Sequence, residues 1–152
     1  MNKIIFTKFL IILFFVSSCG YTPTFSKKNS KFSIIEIETT GNQKLNKIIN
    51  KKLKIYKNIR STKSYSIMFD TNLKKEISSK DTKGNPKTFR MVINVKVYAK
   101  DKEDNLNEKI FSRSTNYNNN LSKSKLRREE NKKAKNLTEK IAEEVIIYLQ
   151  SI

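Results

Sequence analysis

The sequence predicts an α+β domain built as a two-layer sandwich: two helices packed on one face of a four-stranded mixed sheet, in the order β-α-β-β-β-α. Three observations carry this prediction. Four segments alternate apolar and polar residues with the period of two of a strand that buries one face. Two others repeat apolar residues at three- and four-residue steps, the spacing of one helix face. The first of those helices falls between the first two strands, so the connection is a crossover and sets those strands parallel.

The first strand is "KFSIIEIE" (31–38), β-branched and partly alternating. Thr40-Gly41-Asn42 punctuates it, with Asn42 placed to cap a helix. Leu45, Ile48, Ile49, Leu53, Tyr56 and Ile59 then form one apolar stripe on a helix of about 16 residues. That stripe is a core face, and the helix's other faces are mostly Lys and Asn. "SYSIMFDTNLKKEI" alternates Tyr65, Ile67, Phe69, Thr71 and Leu73 as the second strand. "SSKDTKGNP" reads as a loop turned by Gly84-Asn85-Pro86.

"TFRMVINVKVYA" is the strongest strand, with Phe89, Met91, Ile93, Val95 and Val97 on one face. These residues are expected to meet Ile48, Leu53, Leu137 and Ile141 of the helices. Arg90, Val92, Asn94, Lys96 and Tyr98 occupy its other face, which is left available for a partner. After the polar hairpin connection "KDKEDNLN", the segment "EKIFSRSTNY" returns as a weakly apolar strand, suited to a sheet edge. The final helix runs from about Ser124 to Gln150, stepping through Leu126, Ala134, Leu137, Ile141, Val145 and Leu149. Glu129 with Lys133, and Lys140 with Glu144, are spaced for i,i+4 ion pairs along it.

Residues 1–18 have a different character. Lys3 and Lys8 precede an unbroken apolar run from Phe9 to Val16, and Ser17 and Ser18 follow. This is the layout of a secretory leader. Its apolar run, about 12 Å as a helix, is too short for a permanent membrane anchor. The tetrad Val16-Ser17-Ser18-Cys19 resembles a bacterial lipobox. That resemblance implies cleavage between Ser18 and Cys19 and acylation of the Cys19 thiol. Cys19 is the only cysteine, so no disulfide forms within the chain. Gly20 stands where lipoproteins kept in the inner membrane typically have Asp, which implies sorting to the periplasmic side of the outer membrane. The expected organisation is a signal peptide (1–18), an acylated polar tether (19–31) and a single domain (32–152).

Composition narrows the chemistry. Thirty-two Lys and Arg face 14 Asp and Glu, a formal net charge of +18. Such a charge points to a polyanionic partner. Lysine far outnumbers arginine, and Asn and Ile are abundant, so an AT-rich codon bias with a solvated lysine surface remains the alternative. There is no histidine, so neither a Ser-His-Asp nor a Cys-His arrangement exists, and His/Cys metal sites are excluded. Three glycines form no phosphate-binding loop. The carboxylates at Asp101-Glu103-Asp104, Glu129-Glu130 and Glu143-Glu144 read as ion-pair partners. The expectation is a non-enzymatic protein without cofactor or metal.

Lys123, Lys125, Arg127 and Arg128 crowd the start of the last helix, where cations oppose the helix dipole. Free backbone N–H groups with four cations make a candidate anion site. Arg90 and Lys96 on the open sheet face are further candidates for the same anion.

Cys19-Gly20-Tyr21 followed by Pro23, the β-α-β start, the polar meander and the long C-terminal helix together resemble the LptE family of lipopolysaccharide-assembly lipoproteins. The resemblance implies a binding role. Members plug the lumen of the outer-membrane β-barrel LptD, help it assemble, bind lipopolysaccharide and assist its delivery to the cell surface. It therefore implies an LptD-like barrel and lipopolysaccharide as partners, with the membrane held through Cys19. Cys19 is the one family position that carries over to this chain. The alternative is a nucleic-acid-binding lipoprotein. Against it, the aromatics sit on the alternating apolar faces and form no stacking platform, so no nucleic acid is expected.

Overall fold

The computed structural model describes residues 30–152. The leader, Cys19 and the tether as far as residue 29 lie outside the described residues. The elements are β1 (Phe32–Gly41), α1 (Gln43–Leu53), a 3-10 turn (Lys54–Tyr56), β2 (Lys63–Lys80), β3 (Pro86–Lys100), β4 (Leu106–Asn118) and α2 (Lys123–Ser151). The sheet order is β1-β2-β3-β4, with β1 and β2 parallel and the other pairs antiparallel. This is the α+β sandwich with the mixed sheet that the alternation predicts. β4 lies at an edge, as its weak apolar face requires.

The core lies between the sheet and the two helices. Met91, Ile93, Val95 and Val97 of β3 are buried there with Ile67 and Phe69 of β2, Leu45, Ile49 and Leu53 of α1, and Ile141, Val145 and Leu149 of α2. Phe89 and Leu137 are half-buried at its margin, whereas Ile48, expected to meet β3, is half-buried in the groove between the helices. Thr71, at an apolar position of the alternation, is buried and donates to Asn46 Oδ1 at 2.6 Å, while the Asn46 amide donates to the Thr40 carbonyl. Buried polar groups with partners cost little, which is why the pattern tolerates them.

Gly41 ends β1 at φ +85°, and a Cβ there would lie 2.0 Å from the Thr71 carbonyl oxygen. Only glycine permits this close approach to β2. Asn42 then caps α1, its side chain accepting from the N–H groups of Lys44 and Leu45.

The structure corrects three details. The first helix is shorter than its stripe suggests: α1 ends at Leu53, and a 3-10 turn carries Tyr56 inward. There the Tyr56 ring stacks on Phe32, with centroids 4.9 Å apart. Asn58, at φ 55°, donates its N–H to the Ile34 carbonyl and returns the chain to the sheet. Contact with β1 overrides the helical period.

Second, β2 takes in Ser78–Lys80, leaving residues 81–85 as the turn. Asp81 accepts from the N–H groups of Lys83 and Asn85, and Gly84 takes φ 83°. The Asp101–Asn105 turn repeats this pattern, with Asp104 at φ 67°. Third, Glu144 pairs with Arg113 of β4, not with Lys140. Glu129 does pair with Lys133, at 3.9 Å.

β1 stops opposite Thr71, so among the described residues β2 continues from Asn72 to Lys80 with β3 on one side and no strand on the other.

Candidate functional site

Charge is sorted between the two outer surfaces. Residues 39–69 contain no acid, and they carry Lys44, Lys47, Lys51, Lys52, Lys54, Lys57, Arg60 and Lys63. This stretch includes all of α1. Steps of three, four and three place Lys44, Lys47, Lys51 and Lys54 on one helical stripe. All four are exposed, and among the described residues none is in an ion pair. The opposite stripe (Leu45, Ile49, Leu53) is the one that enters the core.

Beside the lysines runs a shallow groove of about 480 Å³ between the helices. Lys47, Ile48, Lys51 and Ile55 line one side, and Lys135 and Glu139 line the other. Ile55 is 39% exposed. The groove therefore has an apolar floor and a rim of four lysines, with Lys52 among them, and one acid, Glu139.

The open sheet face is different. Register places Glu36, Glu38, Asp70, Glu76 and Glu108 there with Lys74, Arg90, Lys96 and Lys100, so its charges nearly cancel. Lys96 meets Glu108 at 2.8 Å and lies 4.8 Å from the centre of the Tyr98 ring. The hydrogen bond to Glu108, then the one to Tyr98, raises the Lys96 ammonium above the usual lysine range. Lys74 binds Glu76 at 2.8 Å and holds its carboxyl below the usual range. Arg90 donates to Ser114 Oγ at 3.1 Å. Tyr98, Leu106 and Ile110 supply apolar surface among these pairs, and Met68, Tyr98 and Leu106 border a hollow of about 460 Å³.

Lys123, Lys125, Arg127 and Arg128 come together, exposed, at the start of α2. Ser122 caps that helix by accepting from the Lys125 N–H, and its first turn holds no acid. Neither neighbouring acid pairs with these cations. Glu130 accepts from Lys75 at 2.6 Å and from the Tyr117 hydroxyl at 2.8 Å, and Glu129 turns to Lys133. Burial pushes the Glu130 pKa up, but the bonds from Lys75 and Tyr117 outweigh it and leave the group below the usual range. Arg90 and Lys96 belong to the opposite face, so the six sequence-predicted cations form two separate groups. Among the described residues, no three His, Cys, Asp or Glu side chains are grouped to hold a metal. No described helix is long and apolar enough to cross a membrane.

The signal that sequence reading passed over is the run without Asp or Glu from 39 to 69. It marks the basic side of the sandwich directly.

No family model matches the chain, and no curated protein matches it in sequence. Its fold is shared with solved bacterial lipoproteins. The rare lipoprotein B from Shewanella oneidensis superposes with a TM-score of 0.62 at 10% identity, over 76% of this chain and 94% of that one. A minor lipoprotein from Acinetobacter baumannii gives 0.57 at 8% identity, over 81% and 92%. An uncharacterized lipoprotein B from Nitrosomonas europaea gives 0.57 at 13% identity, over 84% and 88%. At such identities the likeness is one of fold.

Proposed function

We propose that this chain is a lipid-anchored protein on the periplasmic side of the outer membrane, working as LptE-family members do. It would sit in the lumen of an LptD-like β-barrel, help that barrel assemble, and assist lipopolysaccharide insertion at the cell surface. One conjunction carries the reading: a fold shared with bacterial lipoproteins, in a chain whose only cysteine follows Val16-Ser17-Ser18 and opens Cys19-Gly20-Tyr21.

The role is binding, not catalysis. The open sheet face mixes apolar patches with neutralised charge pairs, the character of a protein contact surface. The four cations at the start of α2 lack acidic partners among the described residues and suit the phosphates of lipid A. Acylated Cys19 would hold the protein at the membrane, each buried CH₂ contributing about 0.8 kcal/mol.

Affinity purification from the native outer membrane tests the proposal. A co-purifying β-barrel and a mature chain starting at acylated Cys19 are the expected results. Co-purifying nucleic acid without a barrel would overturn it in favour of another polyanion-binding lipoprotein. Replacing Lys123, Lys125, Arg127 and Arg128 with Gln should weaken lipopolysaccharide binding about fourfold or more, since exposed charge contacts contribute roughly 0.2–1 kcal/mol each.

A further inference from the structure

The outer surface of α1 is a lysine stripe without an acid, and it lies next to the point where the tether enters the domain. Thr62 donates its side-chain hydroxyl to the Lys31 carbonyl, and Lys57 bridges to Ile34 of β1. Lys31, Lys54, Lys57 and Arg60 are thus gathered, exposed, at the corner from which the chain leads back towards Cys19. Eleven residue steps separate Ser30 from Cys19, a reach of at most about 40 Å. α1 is about 16 Å long. A lipid-anchored chain therefore cannot carry this surface far from its own membrane.

We propose that, before any barrel encloses the chain, the α1 face docks flat on the anionic lipid headgroups of the membrane that holds the anchor. The inference rests on the lipoprotein reading above. Lys44, Lys47, Lys51 and Lys54 meet the headgroups, while Ile48 and Ile55 line the groove beside them, apolar surface of the kind that enters the headgroup layer. The occupant follows from charge and place. A flat sheet of phosphates complements an unpaired cationic stripe, and lipid is the polyanion that the tether keeps within reach. The opposite sheet face is nearly neutral, so anionic lipid favours the orientation that brings α1 to it. Docking then leaves the open sheet face pointing away from the lipid, towards a protein partner.

The test uses the mature protein purified from its membrane and reconstituted into vesicles. One set is phosphatidylcholine alone, and the other mixes phosphatidylglycerol with phosphatidylethanolamine. A membrane-impermeant amine-acylating reagent is added, and each lysine's modification is read by mass spectrometry. Lys44, Lys47, Lys51 and Lys54 should react about fivefold or more slowly on the anionic vesicles, because a lysine near such a surface gains about 1 kcal/mol. Lys74 and Lys100 on the open face should react equally on both. The protection should fade at high salt.

Equal protection of both faces, or none on α1, would overturn the proposal. So would protection by DNA or lipopolysaccharide micelles but not by phosphatidylglycerol. The mass spectrum also reports acylation of Cys19. If the thiol is unmodified the lipoprotein reading fails, while added vesicles still show whether α1 binds lipid. The Lys47→Gln/Lys51→Gln variant should lose protection of Lys44 and Lys54 with its melting temperature retained. Protection unchanged in that variant also counts against docking.

Discussion

The outer surface of α1 and the open sheet face treat charge in opposite ways. Around α1, eight cations occupy a stretch without a single acid, and the stripe from Lys44 to Lys54 has no ion pair among the described residues. Across the sheet, acids and bases are mixed, and Lys96 binds Glu108 and Lys74 binds Glu76. Cross-strand neighbours stand about 5 Å apart, so like charges there are costly, whereas an outward helix stripe repels itself only weakly. A lysine-rich codon bias acts on every surface alike. It does not by itself leave α1 without a carboxylate while α2 carries five. The net charge of +18 is therefore better read as a directed field than as an even coat.

The largest test of this two-sidedness lies at its centre. Ile93 is fully buried towards the helices, whereas its neighbour Val92 is half-exposed on the open face. Ile93→Ala should cost about 2–5 kcal/mol in denaturant unfolding, and Val92→Ala less than about 1.5 kcal/mol. Similar costs would erase the distinction between the faces.

Next is Glu130, the acid that bonds inward from the helix layer. Glu130→Gln should lose about 1–2 kcal/mol at neutral pH, as one charged partner of Lys75 and Tyr117 is removed. Its pKa is lowered in the folded state, so its contribution is complete above the ordinary glutamate value of about 4.3. The contribution is lost as pH falls through the lower folded value. Thermal melts should therefore show wild type and variant converging in acid. A gap that stays constant would assign the effect to packing.

The smallest effects should differ in sign. Lys47→Gln with Lys51→Gln removes an i,i+4 like-charge pair and should stabilise by about 0.2–0.5 kcal/mol at low salt. Lys96→Gln breaks its pair with Glu108 and should lower the melting temperature slightly. A shift in the same direction for both would mean that the faces do not differ in charge balance.

Much of this architecture is legible in the sequence because alternation and helical spacing report burial directly. Phe89, Met91, Ile93, Val95 and Val97 face the helices, and the crossover makes β1 and β2 parallel. The end of α1 is illegible because Tyr56 and Ile59 continue the helical spacing. What stops the helix is the stacking of Tyr56 on Phe32, 24 positions earlier in the chain. Lys123 to Arg128 form a cluster that adjacency alone reveals. The partners of Arg90 and Lys96 come from β4, so no local pattern announces them. The acid-free run was visible, but it is an absence, and motif reading looks for what is present.

Beyond Thr71 the outer edge of β2 is a row of backbone donors and acceptors with no described strand beside it, a template for aggregation in concentrated solution. Two devices blunt it. The register shifts between Ile77 and Ser79 and again between Ser79 and Lys80, and such irregularities bend a strand out of the flat form that stacks. Lys74, Lys75 and Lys80 outnumber the one acid, Glu76, so two copies approaching along this edge meet with like charge. Salt screens the second device and leaves the first. Storage at high ionic strength should therefore promote self-association of this chain, beginning at the straighter stretch from Asn72 to Glu76.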